Sequence, residues 1–274
     1  MSRERILVAG APGSGKSYQL LTIARALPQN TFHIIDPDDG VVRLWDSEFP
    51  ELTNIRYYFT PTWYGIVKCS YCGKEVKDCR CKEEKPRFVG GVANSLTDIR
   101  KHAKPDDWVG IEMLNNLWSM AQSGFVAEVF EEGIGEYFLK ARKELKEGSK
   151  RLDALKGWTD WQVINKMHND DFLVSICYQL PVHVYMSTTF SLQSSQDASS
   201  EEAEQRAFYG DTSIRLEGQK HNPFRAQSIF LFVKGRDGWT FSTFLKDRGR
   251  KWVEKEQLFD FGLQYVSQVA GLGE

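Results

Sequence analysis

The chain lacks any long apolar run. None approaches the roughly 20 residues that cross a bilayer, which excludes a membrane-spanning helix. Its first apolar stretch, Ile6-Leu7-Val8-Ala9, is too short for a signal segment. The expectation is a cytoplasmic protein, in the host cytoplasm if viral, with no membrane partner. Charge of one sign is missing too: 35 Lys and Arg stand against 37 Asp and Glu, a formal net charge of −2. No global basic field advertises nucleic acid, so contact with DNA or RNA must come from a local patch or from assembly. The five histidines show no metal-ligand spacing, and no internal repeat is visible. Cysteine is scarce, with five in 274 residues. That excludes a disulfide framework for a chain long enough to bury its own core.

What is present begins at residue 10. Gly10-Ala11-Pro12-Gly13-Ser14-Gly15-Lys16-Ser17 is a complete P-loop. The apolar run Ile6–Ala9 leads in as a buried strand, and the segment from Ser17 and Tyr18 through Leu20, Leu21 and Ala24 follows as a helix. Glycines let backbone N–H groups turn inward around phosphate oxygens at the positive end of a helix. Residues 10–18 are therefore the expected nucleotide cradle. Lys16 would place a point charge on the β- and γ-phosphates, and Ser17 would offer its hydroxyl to Mg²⁺.

Further strands are expected at 31–35, 56–59, 108–112, 182–186, 211–216 and 227–233. A hairpin would turn at Arg236-Asp237-Gly238 into 239–245. Helices are expected over 41–45, 96–102, 158–178 and about 254–268. The pattern predicts a single α/β domain over 1–274, with a mainly parallel sheet flanked by helices. Residues 61–90 read as an inserted loop and 117–156 as a helical insertion. The polar, acidic stretch 191–206 reads as a mobile loop.

Hydrolysis needs carboxylates beyond the P-loop. Glu112 ends an apolar strand and is the expected metal-side acid, although Asp is usual there. Asp38 follows the second strand and is the expected general base, with Asp39 its nearest competitor. The other four-residue constellation is Cys69, Cys72, Cys79 and Cys81, spaced Cys-x₂-Cys-x₆-Cys-x-Cys. In a reducing compartment this argues for metal over disulfides. Four thiolates suit a closed, tetrahedral, structural Zn²⁺ site. Cys177 reads as a buried core thiol. The basic residues around the cysteines are interleaved with Glu75, Glu83 and Glu84. The basic helix face over 136–156 contains Glu144 and Glu147 and reads as a solvated face.

The order of these parts resembles the RecA-like ATPase core, and more narrowly the compact phage-encoded RecA-like ATPases of recombination and single-strand annealing. The resemblance covers most of the chain outside 61–90 and 117–156 and implies a RecA-like P-loop fold, to which the residues themselves add a C-terminal β-hairpin and a small zinc-binding insertion. Asp36-Pro37-Asp38 matches the family's Asp-x-Glu, with Asp in place of the water-activating Glu. Trp45 falls at the spacing of the aromatic that stacks on adenine. Thr188 or Thr189 matches the strand end that senses the γ-phosphate, and the loop 190–207 matches the place of a DNA-contacting loop. Lys246 and Arg248 match the Lys-x-Arg cations that reach into a neighbouring subunit's site, with Lys234 and Arg236 as a rival pair. The function implied is a Mg²⁺-dependent ATPase, a homo-oligomer with sites between subunits, acting on single-stranded DNA in recombination or replication. Two other readings fit the residues. One is a nucleotide-switched loader or packaging partner with slow hydrolysis. The other is a small-molecule kinase, disfavoured because the cysteines precede Glu112 where a lid should follow the middle strands.

Overall fold

The structure is a computed structural model that describes residues 3–82, 85–146, 159–192, 209, 214–236, 238–248, 256–257 and 261–265. The apolar runs become a mainly parallel sheet. Its strands in chain order are β1 (Arg5–Gly10), β2 (Phe32–Asp36), β3 (Ile55–Thr62), β4 (Lys68–Cys69), β5 (Arg87–Gly91), β6 (Trp108–Ile111) and β7 (His183–Thr188). A separate two-stranded sheet follows, from β8 (Phe190–Leu192) and β9 (Ile214–Leu216). The chain then returns with β10 (Ser228–Gly235), β11 (Gly238–Asp247) and β12 (Glu256–Gln257). Across the main sheet the order is β12-β11-β10-β1-β7-β6-β2-β3-β5-β4. From β10 to β5 every neighbour is parallel, while β11, β12 and β4 close the two edges antiparallel.

Both faces of the sheet are covered, so its central strands read as continuous apolar runs and not as alternation. On one face Ile6, Val8, Phe32, Ile34 and Tyr185 pack under α1 (Lys16–Ala26) and α2 (Gly40–Glu48). On the other, Leu7, Ala9, Ile35, Val109 and Met186 pack under α3 (Val92–His102) and α4 (Leu114–Phe130). The latter face also receives Phe172, Leu173 and Ile176. Leu20 of α1 packs directly over Gly110 of β6, its Cδ2 2.8 Å from where a Cβ would stand.

Several elements differ from the sequence reading. The strand expected at 56–59 runs from Ile55 to Thr62, and Arg87–Gly91 is a strand of the main sheet. The excursion is therefore shorter than 61–90, because the Gly-rich β5 carries little strand signal of its own. The helical region 117–156 begins at Leu114, breaks after Phe130 and resumes as α5 (Ile134–Lys146). Residues 147–156 lie outside the described residues. The helix expected over 158–178 is α-helical at α6 (Thr159–Asn165) and continues as a π-helix over Lys166–Gln179. Its i→i+5 bonding widens the turn, so a 3–4 spacing does not fix its buried face. Ile214–Leu216 pairs with β8 outside the main sheet. Within the helix expected over about 254–268, Glu256–Gln257 is strand, paired with Thr240 and Phe241, while Phe261–Gln264 is helical. Most of the 191–206 loop and much of 254–268 lie outside the described residues.

Candidate nucleotide-binding site

The C-terminal ends of β1, β2, β6 and β7 lie along one edge of the sheet, the position at which open α/β sheets bind ligands. A cleft of about 420 Å³ opens there, lined by the P-loop, Asp36, Asp38, Glu112 and Trp239. That volume is in the range of small-molecule sites. The loop between β1 and α1 turns through two left-handed glycines, Gly13 at φ 76° and Gly15 at φ 88°. α1 starts with no side-chain cap and no acid in its first turn. Its first N–H groups are thus left to an anion.

Lys16 is buried, and its Nζ donates to Gly10 O at 2.8 Å and Ala11 O at 3.1 Å. Burial lowers its pKa and the nearby Glu112 opposes that shift. Pro12 through Tyr18 line the cleft. Ser17 Oγ donates to Glu112 Oε2 at 3.0 Å, and Ser187 Oγ donates to the same oxygen at 3.0 Å. Glu112 Oε1 is buried with no hydrogen-bond partner among the described residues, as is Ser14 Oγ. Burial, then the neighbouring Asp36, pushes the Glu112 carboxyl up to about 7. A buried carboxylate oxygen without a donor, beside a serine hydroxyl at the foot of a P-loop, is a donor set that fits a hard, oxygen-seeking cation such as Mg²⁺.

The turn after β2 is shaped by Asp36. Its Oδ1 accepts Asp38 N–H at 3.0 Å, and its Oδ2 accepts Val41 N–H at 2.8 Å. The Tyr57 hydroxyl lies 3.0 Å from Asp36 Oδ2 and 2.7 Å from Asp39 Oδ1. Asp36 is therefore committed to holding the turn. Asp38 faces the cleft, with Asn116 Nδ2 of α4 at 2.8 and 2.7 Å from its two oxygens. Asp39 and Met113, the residues that open α2 and α4, are both left-handed at φ 56°. Such outliers collect at functional sites.

Four expected residues, Trp45, Thr188, Lys246 and Arg248, sit away from the cleft. Trp45 is fully buried under α2, with its Nε1 donating to Leu52 O at 3.1 Å, and does not line the cleft. The aromatic that does is Trp239, whose ring lies 3.3 Å from the ideal Cβ position of Gly15 and 5.5 Å from the Tyr18 ring centroid. The hairpin register brings it there, and only the Arg-Asp-Gly turn before it hinted at this. Thr188 is buried and donates to Glu217 O at 3.0 Å, whereas Thr189 lines the cleft and contacts the Glu217 carboxylate. Lys246 and Arg248 lie toward the other end of β11, away from the cleft. β11 runs antiparallel from Gly238, opposite Gly235, to Asp247, opposite Ser228. That is roughly 30 Å along the strand at about 3.4 Å per residue. The rival pair, Lys234 and Arg236, is exposed at the hairpin turn on the cleft side.

At the opposite edge of the sheet the four cysteine sulfurs of residues 69, 72, 79 and 81 lie within 4.8 Å of one another. Cys72 Sγ and Cys79 Sγ are 3.7 Å apart. Tetrahedral Zn–S bonds of about 2.3 Å place sulfurs roughly 3.8 Å apart, so the donor set fits zinc. Hydrogen bonding, from the Lys74 backbone first, draws the Cys72 thiol down to about 7, while the Cys79 and Cys81 thiols are pushed up, so the fit to zinc rests on the sulfur geometry. Cys177 is buried and apart from the cluster.

No protein-family model and no curated protein matches the chain. Among solved structures it is similar to a crystal structure of the RadB recombinase, at 8% identity and a TM-score of 0.43, over 94% of this chain and 86% of that one. No helix among the described residues is long and apolar enough to cross a membrane.

Proposed function

We propose that the chain is a Mg²⁺-dependent P-loop ATPase of RecA-like type. The observation that carries this is Glu112: a buried carboxylate bonded to P-loop Ser17, with its second oxygen unpartnered beside Lys16. Ser17 and Glu112 would hold Mg²⁺, which supplies charge neutralisation on the phosphates when bound. Lys16 leaves the carbonyls of Gly10 and Ala11 for the β- and γ-phosphates, whose charge repays the exchange. Asp38 orients a water and accepts its proton as the water oxygen bonds to the γ-phosphorus. The bond to the β–γ bridging oxygen breaks, leaving ADP and inorganic phosphate. Thr189 marks the γ-phosphate end of the cleft, and Trp239 with Tyr18 walls its mouth.

The assembly reading is a homo-oligomer acting on single-stranded DNA in recombination or replication, encoded by a phage. Lys234 and Arg236 are its better-placed trans-acting cations, being exposed on the cleft side. The C₄ cluster is its structural zinc site. The slow, nucleotide-switched loader keeps one specific support. Asp38 is one methylene shorter than the glutamate of the resembling family, and both its oxygens are engaged by Asn116. Mg²⁺-dependent ATP turnover with and without single-stranded DNA, beside Lys16→Ala and Arg236→Ala, separates the readings. Turnover above one per minute that DNA stimulates, lost in both variants, supports the assembled ATPase. Tight ATP binding with negligible turnover supports the loader.

A further inference from the structure

We propose that Arg87, with Lys85, is a positioning residue for the Asp38 turn of the nucleotide cleft, and that the metal-filled cysteine module holds it in place. For its kinetic consequence this rests on the ATPase reading; its structural consequence stands alone.

The two residues between the first pair of cysteines reach out of the knuckle. Ser70 donates from both N–H and Oγ to Arg87 O, each at 2.9 Å, and the Tyr71 hydroxyl donates to Lys85 O at 2.9 Å. The knuckle thus fixes the backbone of Lys85 and Arg87 at the start of β5. Their side chains then leave the module for α2. The Arg87 guanidinium lies 5.1 Å and the Lys85 ammonium 5.0 Å from the Trp45 ring centroid, within cation–π reach. Both cations also meet Asp46: Arg87 in direct contact, Lys85 at 3.7 Å. Trp45 is fully buried, so this clamp grips a side chain that cannot move without moving the helix.

α2 spans nine residues, roughly 13 Å at 1.5 Å per residue. Its C-terminal half carries the clamp and its N-terminal half carries Gly40, Val41 and Leu44, which line the cleft directly after Asp38. A second link runs through β3, where Tyr57 is the register partner of Arg87 and its hydroxyl reaches Asp36 and Asp39. The polar, Lys- and Glu-rich module has little apolar core of its own. Metal binding is what orders such a loop. Without it Ser70 and Tyr71 lose their fixed positions, Arg87 loses its backbone anchor, and α2 and the Asp38 turn loosen.

The test uses the full chain. Zinc-loaded protein is compared with chelator-stripped protein and with zinc-loaded Arg87→Ala, Asp46→Ala and Arg87→Lys. Amide hydrogen exchange over 41–48 is measured together with kcat and KM for ATP. Stripping is expected to speed exchange over 41–48 at least tenfold and to lower kcat at least tenfold. KM should stay within threefold, because the P-loop that holds the phosphates is untouched. Arg87→Ala and Asp46→Ala should do the same at native zinc content, and Arg87→Lys should recover most of the protection. Unchanged exchange in Arg87→Ala overturns the proposal, and this variant decides the matter if stripping unfolds the whole chain. Exchange that responds in a protein that binds but does not hydrolyse ATP would sink the ATPase reading and leave the linkage standing.

Discussion

Glu112 concentrates the chemistry of the site in one carboxyl group. Burial, and then Asp36, raises its pKa to about 7. A raised acid costs stability where it is ionised, so this contribution worsens as pH climbs from about 4.5 through 7 and is relieved by a cation. Two outcomes follow. Mg²⁺–nucleotide affinity should rise up to about tenfold between pH 6 and 8, because the ionised fraction grows over that span, and Glu112→Gln should flatten the rise in a calorimetric titration. In the absence of metal, the same variant should melt higher than the parent at pH 8, with the gap closing by pH 5.

Residue identity is also where the sequence was least able to speak. The P-loop was legible because its glycines and lysine are fixed by their own local geometry. Which tryptophan lines the cleft was not, because Trp45 and Trp239 are both aromatic residues near apolar segments. Only the register of β10 with β11 places Trp239 on Gly15, and only the packing of α2 buries Trp45. Trp239→Ala should raise KM for ATP severalfold and leave the melting temperature within a few degrees, since the ring sits at the cleft and is only half-buried.

At the scale of elements, close approach decides more than propensity. Gly124 lies within α4, where alanine is worth about 1 kcal/mol over glycine. A Cβ there would fall 2.6 Å from Trp63 Cβ, and overpacking of a filled core costs about 1–3 kcal/mol. The clash outweighs propensity, so Gly124→Ala should lower stability in denaturant titration. The buried imidazole of His168, on the π-helix, is held neutral by burial with its pKa lowered to about 4. A depressed folded value means stability that is full above the unfolded value near 6.5 and is lost as pH falls toward 4. The chemical-denaturation midpoint should therefore drop between pH 7 and 5, and less so in His168→Asn. The strands of the parallel sheet were readable as apolar runs because both faces are buried. The π-helix and the short β5 were not, because nothing local distinguishes them from an α-helix and a glycine-rich loop.

At the scale of the molecule, the sheet gathers its chemistry on one edge and its cysteine module on another, with α2 between them. The strand order was not legible, since it depends on which crossover places β7 between β1 and β6. That placement lets Ser187 of β7 bond Glu112 beside the P-loop. With a net charge of −2, any single-stranded DNA affinity should rest on local cations and stacking and fall steeply with salt.

The most direct measurement is steady-state ATP hydrolysis by zinc-loaded protein with Mg²⁺ present or withheld, beside Lys16→Ala and Glu112→Ala. Turnover should need Mg²⁺ and should fall at least a hundredfold in both variants. ATP neither bound nor hydrolysed by the parent, or turnover that survives the loss of Lys16, would contradict the ATPase reading.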